Sequence, residues 1–539
     1  MSDVLRAPLS LALLLSLALA GCGGGGGGSG TSTSGGSTGG SSSSGGSGSN
    51  TATGPQGPSS SFAQQCAANN TLAAAGLRST TLDTEKKWLR AYVDEAYLWR
   101  DEVPTVDPSA SAYSGSDAYA AIDNYFEALK TQQLTDTGQR RDRFSFTYPT
   151  DKWNALSSSG QEAGYGIEWR LASTTPPRQI RVAYVEPGSP AERAGVMRGD
   201  ELVSADNYSA DVSSEAGVDG LNAAMYPEAA NAAHSFVFSR TGSGTLTRSL
   251  TSAIITKTPV PQARVLSTPQ GKRAGYLVFH DHIASAEQPL IDAMRSFQQQ
   301  GVSELVLDLR YNGGGYLYLA SELAYMIAGT ARTGSQAFET LRYNARRSAD
   351  NRTTPFYGTS CLLVGNRCTQ EQPLPALNLS RVYVLAQSGT CSASEAVING
   401  LRGVGVEVVL IGGKTCGKPY GFAAKDNCGI SYFPIEFTGV NAQGFGDYAD
   451  GFEPTASGTT GTRFVKGCNV ADDFSRALGD TGESLLASAL GHADTGSCPV
   501  LPGVSSATAR AQGAWSGEGG VALSPRRHPA RDNRIWVAR

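Results

Sequence analysis

The stretch that decides the fold runs from Gln387 to Phe422 and reads QSGTCSASEAVINGLRGVGVEVVLIGGKTCGKPYGF. A turn of small residues leads into a helical pattern over 393–401, and an apolar strand over 407–411 follows. Ser392 stands where the turn enters the helix, and the first N–H groups of a helix are unpaired and can bind an oxyanion. A serine nucleophile also needs a base. Because no histidine lies between 283 and 491, we expect Lys418, in the glycine-rich loop after the strand, to be that base.

Three further segments are predicted to be strands, at 274–279, 305–310 and 381–385, and the run at 305–310 is apolar enough to be buried on both faces. The second of them leads into Tyr311-Asn312-Gly313-Gly314-Gly315 and then into a helical pattern over 317–327. The third leads into the turn before Ser392. Strand, loop and helix repeated in this order indicate an α/β core over 259–500.

Three motifs carry a family resemblance: S-A-S-E at 392–395, T-C-G-K at 415–418 and D-L-R-Y-N-G-G-G at 308–315. This combination resembles the carboxyl-terminal processing peptidases, also called tail-specific proteases. The resemblance implies a Ser392–Lys418 dyad, a crotonase-like ββα superhelix, and an oxyanion hole formed by the N–H groups of Gly314 and Ala393. By position Gly314 is favoured over Gly313 and Gly315.

Two features depart from the family pattern. The serine and the lysine are 26 positions apart, one more than is usual in the family, and a loop around Gly403–Gly405 can absorb the extra residue. Phe422 stands where the family usually has a glutamine, so another group would have to orient the lysine here.

The dyad makes a quantitative demand on Lys418. A free lysine titrates near 10.4, and lowering this to about 7 requires roughly three pKa units, or about 4 kcal/mol. Burial supplies such a shift because it disfavours the ammonium. We therefore expect Lys418 to be buried with its amine directed at Ser392.

Other residues of the same segment are alternatives to Ser392 as the nucleophile. Ser394 is a rival, although on a helix it points elsewhere. Cys391 is another, although in an exported protein a disulfide suits it better. Glu395 is suited to the helix start, where a carboxylate is favourable, or to a direct role in catalysis.

The base has alternatives as well. His280 and His282 alternate at the end of a strand, so they share one face and could serve as base or hold a metal. No further ligands cluster with them, and we expect no metal or other cofactor. Lys414 is the other nearby amine and is expected to be solvated.

Residues 161–258 resemble a PDZ domain. The resemblance rests on Gly164-Tyr165-Gly166-Ile167, an apolar strand over 180–185, the run P-G-S-P-A-E-R-A-G-V over 187–196, and R-G-D-E-L-V over 198–203. It implies that the backbone N–H groups of 164–167 bind the carboxylate of a peptide's C-terminus while the next strand pairs with the peptide. A PDZ domain that only regulates access is the alternative.

The first 160 residues divide into three parts. An apolar run over 9–20, preceded by Arg6 and ending in Leu-Ala-Gly-Cys22, predicts a lipoprotein signal peptide over 1–22 with Cys22 lipidated. Gly, Ser and Thr dominate 23–62 and predict a flexible tether. Aromatic and aliphatic residues at helical spacing over 82–129 predict a helical N-terminal domain over 63–160. At the other end, 501–539 has no periodicity and is expected to be a disordered tail.

Export predicts disulfides. Eight cysteines remain after Cys22, an even number, and Cys361–Cys368 and Cys416–Cys428 are plausible local pairs. Cys391 and Cys416 flank both proposed catalytic residues, so a bridge to either would stiffen the site.

Taken together, the sequence predicts an α+β, multi-domain protein of the cell envelope, anchored by lipid, with the outer membrane favoured. A net charge of −4 argues against a nucleic-acid partner. The predicted function is an exported serine endopeptidase acting on proteins or peptides with accessible C-termini. The alternatives are a catalytically silent peptide-binding adaptor and an enzyme that processes only itself.

Overall fold

The computed structural model describes residues 53–361, 363–364, 367–368, 371–500 and 534–535. The signal peptide with Cys22, most of the tether and most of the tail therefore lie outside the described residues. None of the helices in the described residues combines the length and the hydropathy needed to span a bilayer.

Helices are distributed along the whole described chain. In order they are α1 Leu82–Ala96, α2 Ala118–Leu129, α3 Thr150–Ser159, α4 Pro190–Arg193, α5 Glu215–Met225, α6 Glu287–Gln299, α7 Leu317–Ala328, α8 Thr330–Thr333, α9 Ala393–Gly403 and α10 Ser484–Thr495.

Strands are mostly short. In order they are β1 Cys66–Ala67, β2 Arg78–Thr80, β3 Phe146–Pro149, β4 Gln161–Gly164, β5 Ile167–Leu171, β6 Ile180–Val185, β7 Glu201–Ala205, β8 Tyr208–Ser209, β9 Ala233–Arg240, β10 Gly244–Thr251, β11 Ala253–Thr256, β12 Gln262–Ser267, β13 Arg273–Val278, β14 Glu304–Asp308, β15 Gly315–Tyr316, β16 Ala337–Tyr343, β17 Arg352–Pro355, β18 Leu363–Val364, β19 Arg367–Cys368, β20 Arg381–Ala386, β21 Glu407–Gly412, β22 Tyr420–Gly421, β23 Lys425–Asn427, β24 Ile430–Phe433, β25 Phe437–Val440, β26 Glu453–Thr455, β27 Phe464–Asn469 and β28 Arg534–Ile535.

A seven-stranded sheet in the order β12-β13-β14-β20-β21-β27-β26 forms the centre of the fold. Strand β12 runs antiparallel to β13, and the remaining neighbours are parallel. The strands predicted from apolar runs are β13, β14, β20 and β21, which are adjacent in the sheet. The carboxyl ends of β14, β20 and β21 therefore deliver their loops to one edge, where all three sequence motifs lie.

Alternation along these strands explains why they are apolar on both faces. Leu307, Val384 and Leu410 pack into the large core with α7 and α9, whereas Val306 and Tyr383 face α10. Successive side chains of a strand point to opposite faces, so a strand covered by helices on both sides needs apolar residues throughout.

The N-terminal helices belong to the same large core rather than to a separate one. The ring of Trp88 in α1 lies 4.7 Å from that of Tyr432 in β24, centroid to centroid. Strand β3 pairs with β24, and a disulfide joins Cys66 to Cys428. Ser59 lies within the predicted tether and nevertheless binds α1. Its N–H and its hydroxyl donate to the carboxylate of Glu95 at 2.7 and 2.6 Å.

Residues 165–252, here called the inserted domain, have a hydrophobic core of their own. An antiparallel sheet in the order β10-β9-β7-β6-β5, with β8 beside β7, packs around residues such as Phe236 and Phe238. Strand β4, which leads into the inserted domain, pairs with strand β11, which follows it. These two strands connect the inserted domain to the rest of the chain. The whole is a mixed α/β, multi-domain fold.

A buried cationic side chain connects the inserted domain to the large core. The Arg198 guanidinium donates to the Tyr311 hydroxyl at 2.6 Å and to Asp472 Oδ1 at 2.7 Å. Arg310 binds the same Asp472 oxygen at 3.0 Å. Against the opposing effect of burial, the two arginines hold the pKa of Asp472 at about 2. Nearby, Arg170 of β5 donates to the hydroxyl of Ser388 in the turn before Ser392.

All eight cysteines of the described region form disulfides: Cys66–Cys428, Cys361–Cys368, Cys391–Cys416 and Cys468–Cys498. The predicted Cys361–Cys368 pair is confirmed. The predicted Cys416–Cys428 pair is wrong. Closeness in sequence is a poor guide here, because the loops after the neighbouring strands β20 and β21 meet in space and bring Cys391 to Cys416.

Backbone pairing at residues 534–535 differs from the expectation of a tail without regular structure. Strand β28 pairs in parallel with β15, with Gly315 opposite Arg534 and Tyr316 opposite Ile535.

Candidate active site

Ser392 occupies a strained elbow between β20 and α9. Its backbone has φ 59° and ψ −109°, and the residue is buried. A positive φ is unfavourable for a residue with a side chain and persists only where the surroundings enforce it, which happens most often at functional sites. The strained turn sets the serine at the N-terminus of α9, as the sequence predicted.

The Glu395 carboxylate joins the nucleophile turn to the lysine loop. Its Oε2 accepts the N–H groups of Ser392 at 3.0 Å and Lys418 at 2.8 Å. The two nitrogen atoms are therefore at most 5.8 Å apart, the sum of those distances. Its Oε1 accepts the Gly417 N–H at 2.8 Å and the Thr415 hydroxyl at 2.5 Å. Glu395 thus does more than stabilise the helix start: one buried carboxylate sets the backbones of both proposed catalytic residues.

A covalent bond and a backbone hydrogen bond connect the same two loops. The disulfide Cys391–Cys416 places the two α-carbons 5.2 Å apart. The Cys416 N–H also donates to the Thr390 carbonyl at 3.0 Å. Because Cys391 is oxidised, it offers no thiol nucleophile, and this alternative is not supported.

Aromatic rings surround the amine of Lys418, which is fully buried as predicted. Lys418 Nζ lies 5.0 Å from the ring centroid of Phe144 and 4.7 Å from that of Phe422. Phe422 is itself buried and packs edge-on against Phe433 at 5.2 Å. Where the family usually has a glutamine, this chain therefore has an apolar wall. The direction of the amine towards the Ser392 hydroxyl stays a prediction.

The glycine-rich loop after β14 is fixed to the nucleophile turn by Asn312. Its carbonyl accepts the Cys391 N–H at 3.0 Å and the Ser394 hydroxyl at 3.0 Å. Its Nδ2 donates to the Phe279 carbonyl at 2.9 Å. The Ser394 hydroxyl is therefore engaged in holding the two loops together, which argues against Ser394 as nucleophile.

The predicted oxyanion hole is only partly available in this conformation. The Gly314 N–H donates to Asn312 Oδ1 at 2.9 Å, because the asparagine side chain folds back over its own loop. An oxyanion at this amide would have to displace Asn312. Ala393 is the first residue of α9, so its N–H has no carbonyl partner within the helix and remains suited to the role.

The histidines are poor candidates for the base. Burial lowers the pKa of both His280 and His282 to about 3, so each binds a proton weakly at neutral pH. His282 Nδ1 lies 3.0 Å from Asn312 Oδ1, and the His280 ring stacks on Tyr184 at 3.8 Å. These contacts commit both rings to packing and loop support. Lys414, the other amine considered, is half-buried.

Among the described residues, one group of potential metal ligands lies close together: Cys391, Glu395 and Cys416, with ligand atoms within 4.8 Å of one another. The disulfide occupies both sulfur atoms of this cluster. His280 and His282 are not part of such a group.

Sequence reasoning missed the roles of Asn312 and Phe144. Asn312 lies inside a recognised motif, so its position was visible, but its hydrogen bonds to the nucleophile turn depend on the adjacency of β14 and β20. Phe144 lies far from the motifs, and no local pattern connects it with Lys418.

Two family models match the chain. The model of peptidase family S41 matches residues 273–422, and the model of the peptidase S41 N-terminal domain matches residues 84–146. Two segments of the chain are therefore similar to the peptidase domain and to the N-terminal domain of S41 peptidases.

Individual relatives agree with this class. The chain is 27% identical over 268 residues to the carboxyl-terminal-processing protease of Picosynechococcus sp., covering 49% of this chain and 56% of that protein. It is 28% identical over 235 residues to the chloroplastic carboxyl-terminal-processing peptidase 3 of Arabidopsis thaliana, covering 43% and 41%. The chain thus spans about half the length of the curated relatives that it matches.

Among solved structures, an S41-type protease from Bacteroides fragilis NCTC 9343 superposes with a TM-score of 0.55 at 24% identity. The match covers 76% of this chain and 97% of that one. At this identity the likeness shows a shared fold alone.

Proposed function

We propose that the protein is an exported, lipid-anchored serine endopeptidase of the carboxyl-terminal processing type, with Ser392 as nucleophile and Lys418 as base. The observation that carries the proposal is the Glu395 carboxylate, which binds the backbone N–H groups of both residues. A catalytically silent adaptor has no need of two loops held together by a carboxylate, a disulfide and a strained serine.

The chemistry follows from the buried dyad. A neutral Lys418 amine takes the proton of the Ser392 hydroxyl while Oγ attacks the peptide carbonyl. The oxyanion is stabilised by the Ala393 N–H and by an amide of the glycine loop. The ammonium then gives its proton to the leaving amine, and water hydrolyses the acyl-enzyme. The rings of Phe144 and Phe422 lie 5.0 and 4.7 Å from the amine and attract the cation that forms during the reaction.

Hydrolysis of an unfolded protein substrate tests the dyad. Ser392→Ala and Lys418→Met are each expected to lower kcat/KM by at least about 100-fold, since each removes a group that acts in the transition state. Lys414→Met is the matched control, a nearby lysine outside the dyad, and should retain activity. Equal hydrolysis by the wild type and both dyad variants would favour the adaptor.

The finer architecture belongs to the same proposal: the large core is a crotonase-like superhelix and the inserted domain is a PDZ domain. Strand β5 is an edge strand, and the segment Gly164–Ile167 leads directly into it. A peptide could therefore add to the sheet along β5, with its terminal carboxylate at the N–H groups of Tyr165, Gly166 and Ile167.

Peptide chemistry tests this better than substitution of Gly166. That residue has φ +78°, and a Cβ there would lie 2.3 Å from Ser189 Cβ, so a side chain would distort the loop. We expect the Ser392→Ala protein to bind a fluorescent apolar peptide with a free C-terminal carboxylate at least tenfold more tightly than the same peptide amidated. Equal affinities would remove carboxylate recognition from the proposal.

Lipid anchoring at Cys22 is tested by expression with labelled palmitate. The wild type should incorporate the label and fractionate with the envelope, and Cys22→Ala should do neither. Labelling that persists in Cys22→Ala would contradict the assignment.

A further inference from the structure

A two-residue strand of this chain lies beside the segments that carry the candidate site. Residues 534–535 form β28, which pairs in parallel with β15 at Gly315–Tyr316. The same two residues also contact β22, Tyr420–Gly421. Strand β28 therefore lies beside β15, which follows the glycine-rich loop after β14, and close to β22, which follows Lys418.

Both neighbours of β28, strands β15 and β22, are close in sequence to residues of the candidate site. Strand β15 begins three residues after Asn312, whose carbonyl binds the Cys391 N–H at 3.0 Å. Strand β22 begins two residues after Lys418. A backbone in the position of β28 is thus close to two segments that flank the proposed dyad.

Strand β15 has two edges that can pair with another strand, and one of them is available to β28. On its other edge β15 contacts His282, through Tyr316 N–H donating to the His282 carbonyl at 2.8 Å and His282 N–H donating to the Gly314 carbonyl at 3.0 Å. A Cβ at Gly315 would lie 2.3 Å from the His282 carbonyl oxygen, so glycine is required for this approach. The remaining edge is the one that β28 occupies.

We propose that this edge of β15, facing β22, is the site that binds extended peptide substrates by strand addition, and that residues 534–535 occupy it as an internal competitor. The inference rests on the proposed peptidase function. Recognition through main-chain N–H and C=O groups requires an extended peptide rather than a particular side chain. A segment of the same chain competes at an effective concentration that depends on the length and stiffness of the connection to its site.

Binding of an amidated fluorescent peptide to Ser392→Ala proteins tests the inference without catalysis, and the amide removes carboxylate recognition by the inserted domain. We expect the chain with Arg534→Pro and Ile535→Pro to bind at least threefold more tightly than the parent, because proline removes the N–H donors of β28. The matched control, Val521→Pro with Ala522→Pro, should equal the parent. Equal binding by all three would overturn the inference.

A chain ending at residue 500 provides a second measurement. It should bind the probe as tightly as the Arg534→Pro, Ile535→Pro chain, and an amidated peptide of residues 530–539 should displace the probe from it while a scrambled peptide does not. Failure of the 530–539 peptide to compete would overturn the inference.

Hydrolysis separates this inference from the proposed function. If the chain ending at 500 shows no Ser392-dependent hydrolysis, the proposed function fails, whatever the binding results. If it hydrolyses peptides with the same KM as the full chain, the function stands and the internal competitor is refuted. Intact mass after the assay completes the test: cleavage within 501–539 would show a substrate rather than a competitor.

Discussion

At the scale of single residues, Glu395 is the side chain on which the candidate site depends. Burial raises the pKa of its carboxyl, and hydrogen bonds from Thr415, Lys418, Gly417 and Ser392 oppose that rise. A carboxylate that accepts four hydrogen bonds in a dry site is costly to replace, because each lost acceptor leaves a buried donor unpaired.

Glu395→Gln is expected to lower kcat by roughly 10- to 100-fold with little change in KM, because the glutamine NH2 would face N–H donors that now bind a carboxylate. Steady-state kinetics on a peptide substrate measures this. Glu407→Gln is the control, since Glu407 is half-exposed and pairs with Lys466 at 2.8 Å. A rise in KM at constant kcat would show that Glu395 does not position the dyad.

His282 predicts a pH effect on stability. The folded protein holds the pKa of His282 at about 3, below the ordinary value of about 6.5. Between these values the unfolded chain binds a proton that the folded chain does not. This group's contribution is therefore present above pH 6.5 and is lost as the pH falls, by up to about 1.4 kcal/mol per pH unit.

The variant that tests this is His282→Asn, because the asparagine NH2 can donate to Asn312 Oδ1 in place of the histidine Nδ1–H. Its free energy of unfolding should fall less steeply than that of the wild type between pH 6 and pH 4. Urea unfolding at several pH values measures the slope, and identical slopes would contradict the assignment.

Candidate residues can be chosen from the sequence where a motif carries chemistry. Two motifs and the absence of histidine over 283–491 make Ser392 and Lys418 the candidates, and the predicted burial of Lys418 is confirmed. The occupied Gly314 N–H could not be predicted, because the rotamer of Asn312 is set by its neighbours in space. The ring of Phe144 beside the lysine was invisible for the same reason.

At the scale of elements, the loops after the parallel strands β20 and β21 form the site. Neighbouring parallel strands have their carboxyl ends at the same edge of the sheet. For this reason the turn that contains Cys391 and the lysine loop that contains Cys416, some 25 residues later, share a disulfide. Strands β13, β14, β20 and β21 and the helix α9 were predictable from the apolar pattern of the sequence. The pairing of cysteines was not, because it depends on which strands are neighbours in the sheet.

Loss of the Cys391–Cys416 disulfide should affect activity as well as stability. We expect Cys391→Ser with Cys416→Ser to cost about 3 kcal/mol of unfolding free energy and to lower kcat by at least about tenfold, because the two loops then separate more freely. Thermal unfolding and peptide hydrolysis measure the two effects.

The matched control is Cys361→Ser with Cys368→Ser, which opens a shorter loop of sequence separation 7 outside the site. It should lose some stability and keep its kcat. Equal losses of kcat in the two double variants would show that the Cys391–Cys416 bond has no special role at the dyad.

At the scale of the whole molecule, the inserted domain and the large core are joined by buried charges. Arg198 and Asp472 are 8% and 5% exposed at their side chains, and both contact the loop that contains Tyr311. The sequence predicted a domain of its own over 161–258, because the motifs of its turns are local in sequence. The docking through Arg198 was not predictable, since the partners are 274 residues apart.

Arg198→Met is expected to cost about 3–5 kcal/mol of unfolding free energy, because Asp472 loses one of its two arginine partners in a dry interface. Adding Asp472→Asn should recover part of the loss, and a double-mutant cycle by urea unfolding measures the coupling. Arg476→Met, which removes an exposed pair with Asp480, should cost less than about 1 kcal/mol. Strictly additive losses for Arg198 and Asp472 would refute the coupling.

The central claim is that a buried lysine activates the hydroxyl of Ser392, and covalent labelling by a fluorophosphonate tests it most directly. The account predicts one adduct, located at Ser392 by mass spectrometry, absent in Ser392→Ala and formed at least about 100-fold more slowly in Lys418→Met. Labelling at another residue, or an equal rate in Lys418→Met, would contradict the account.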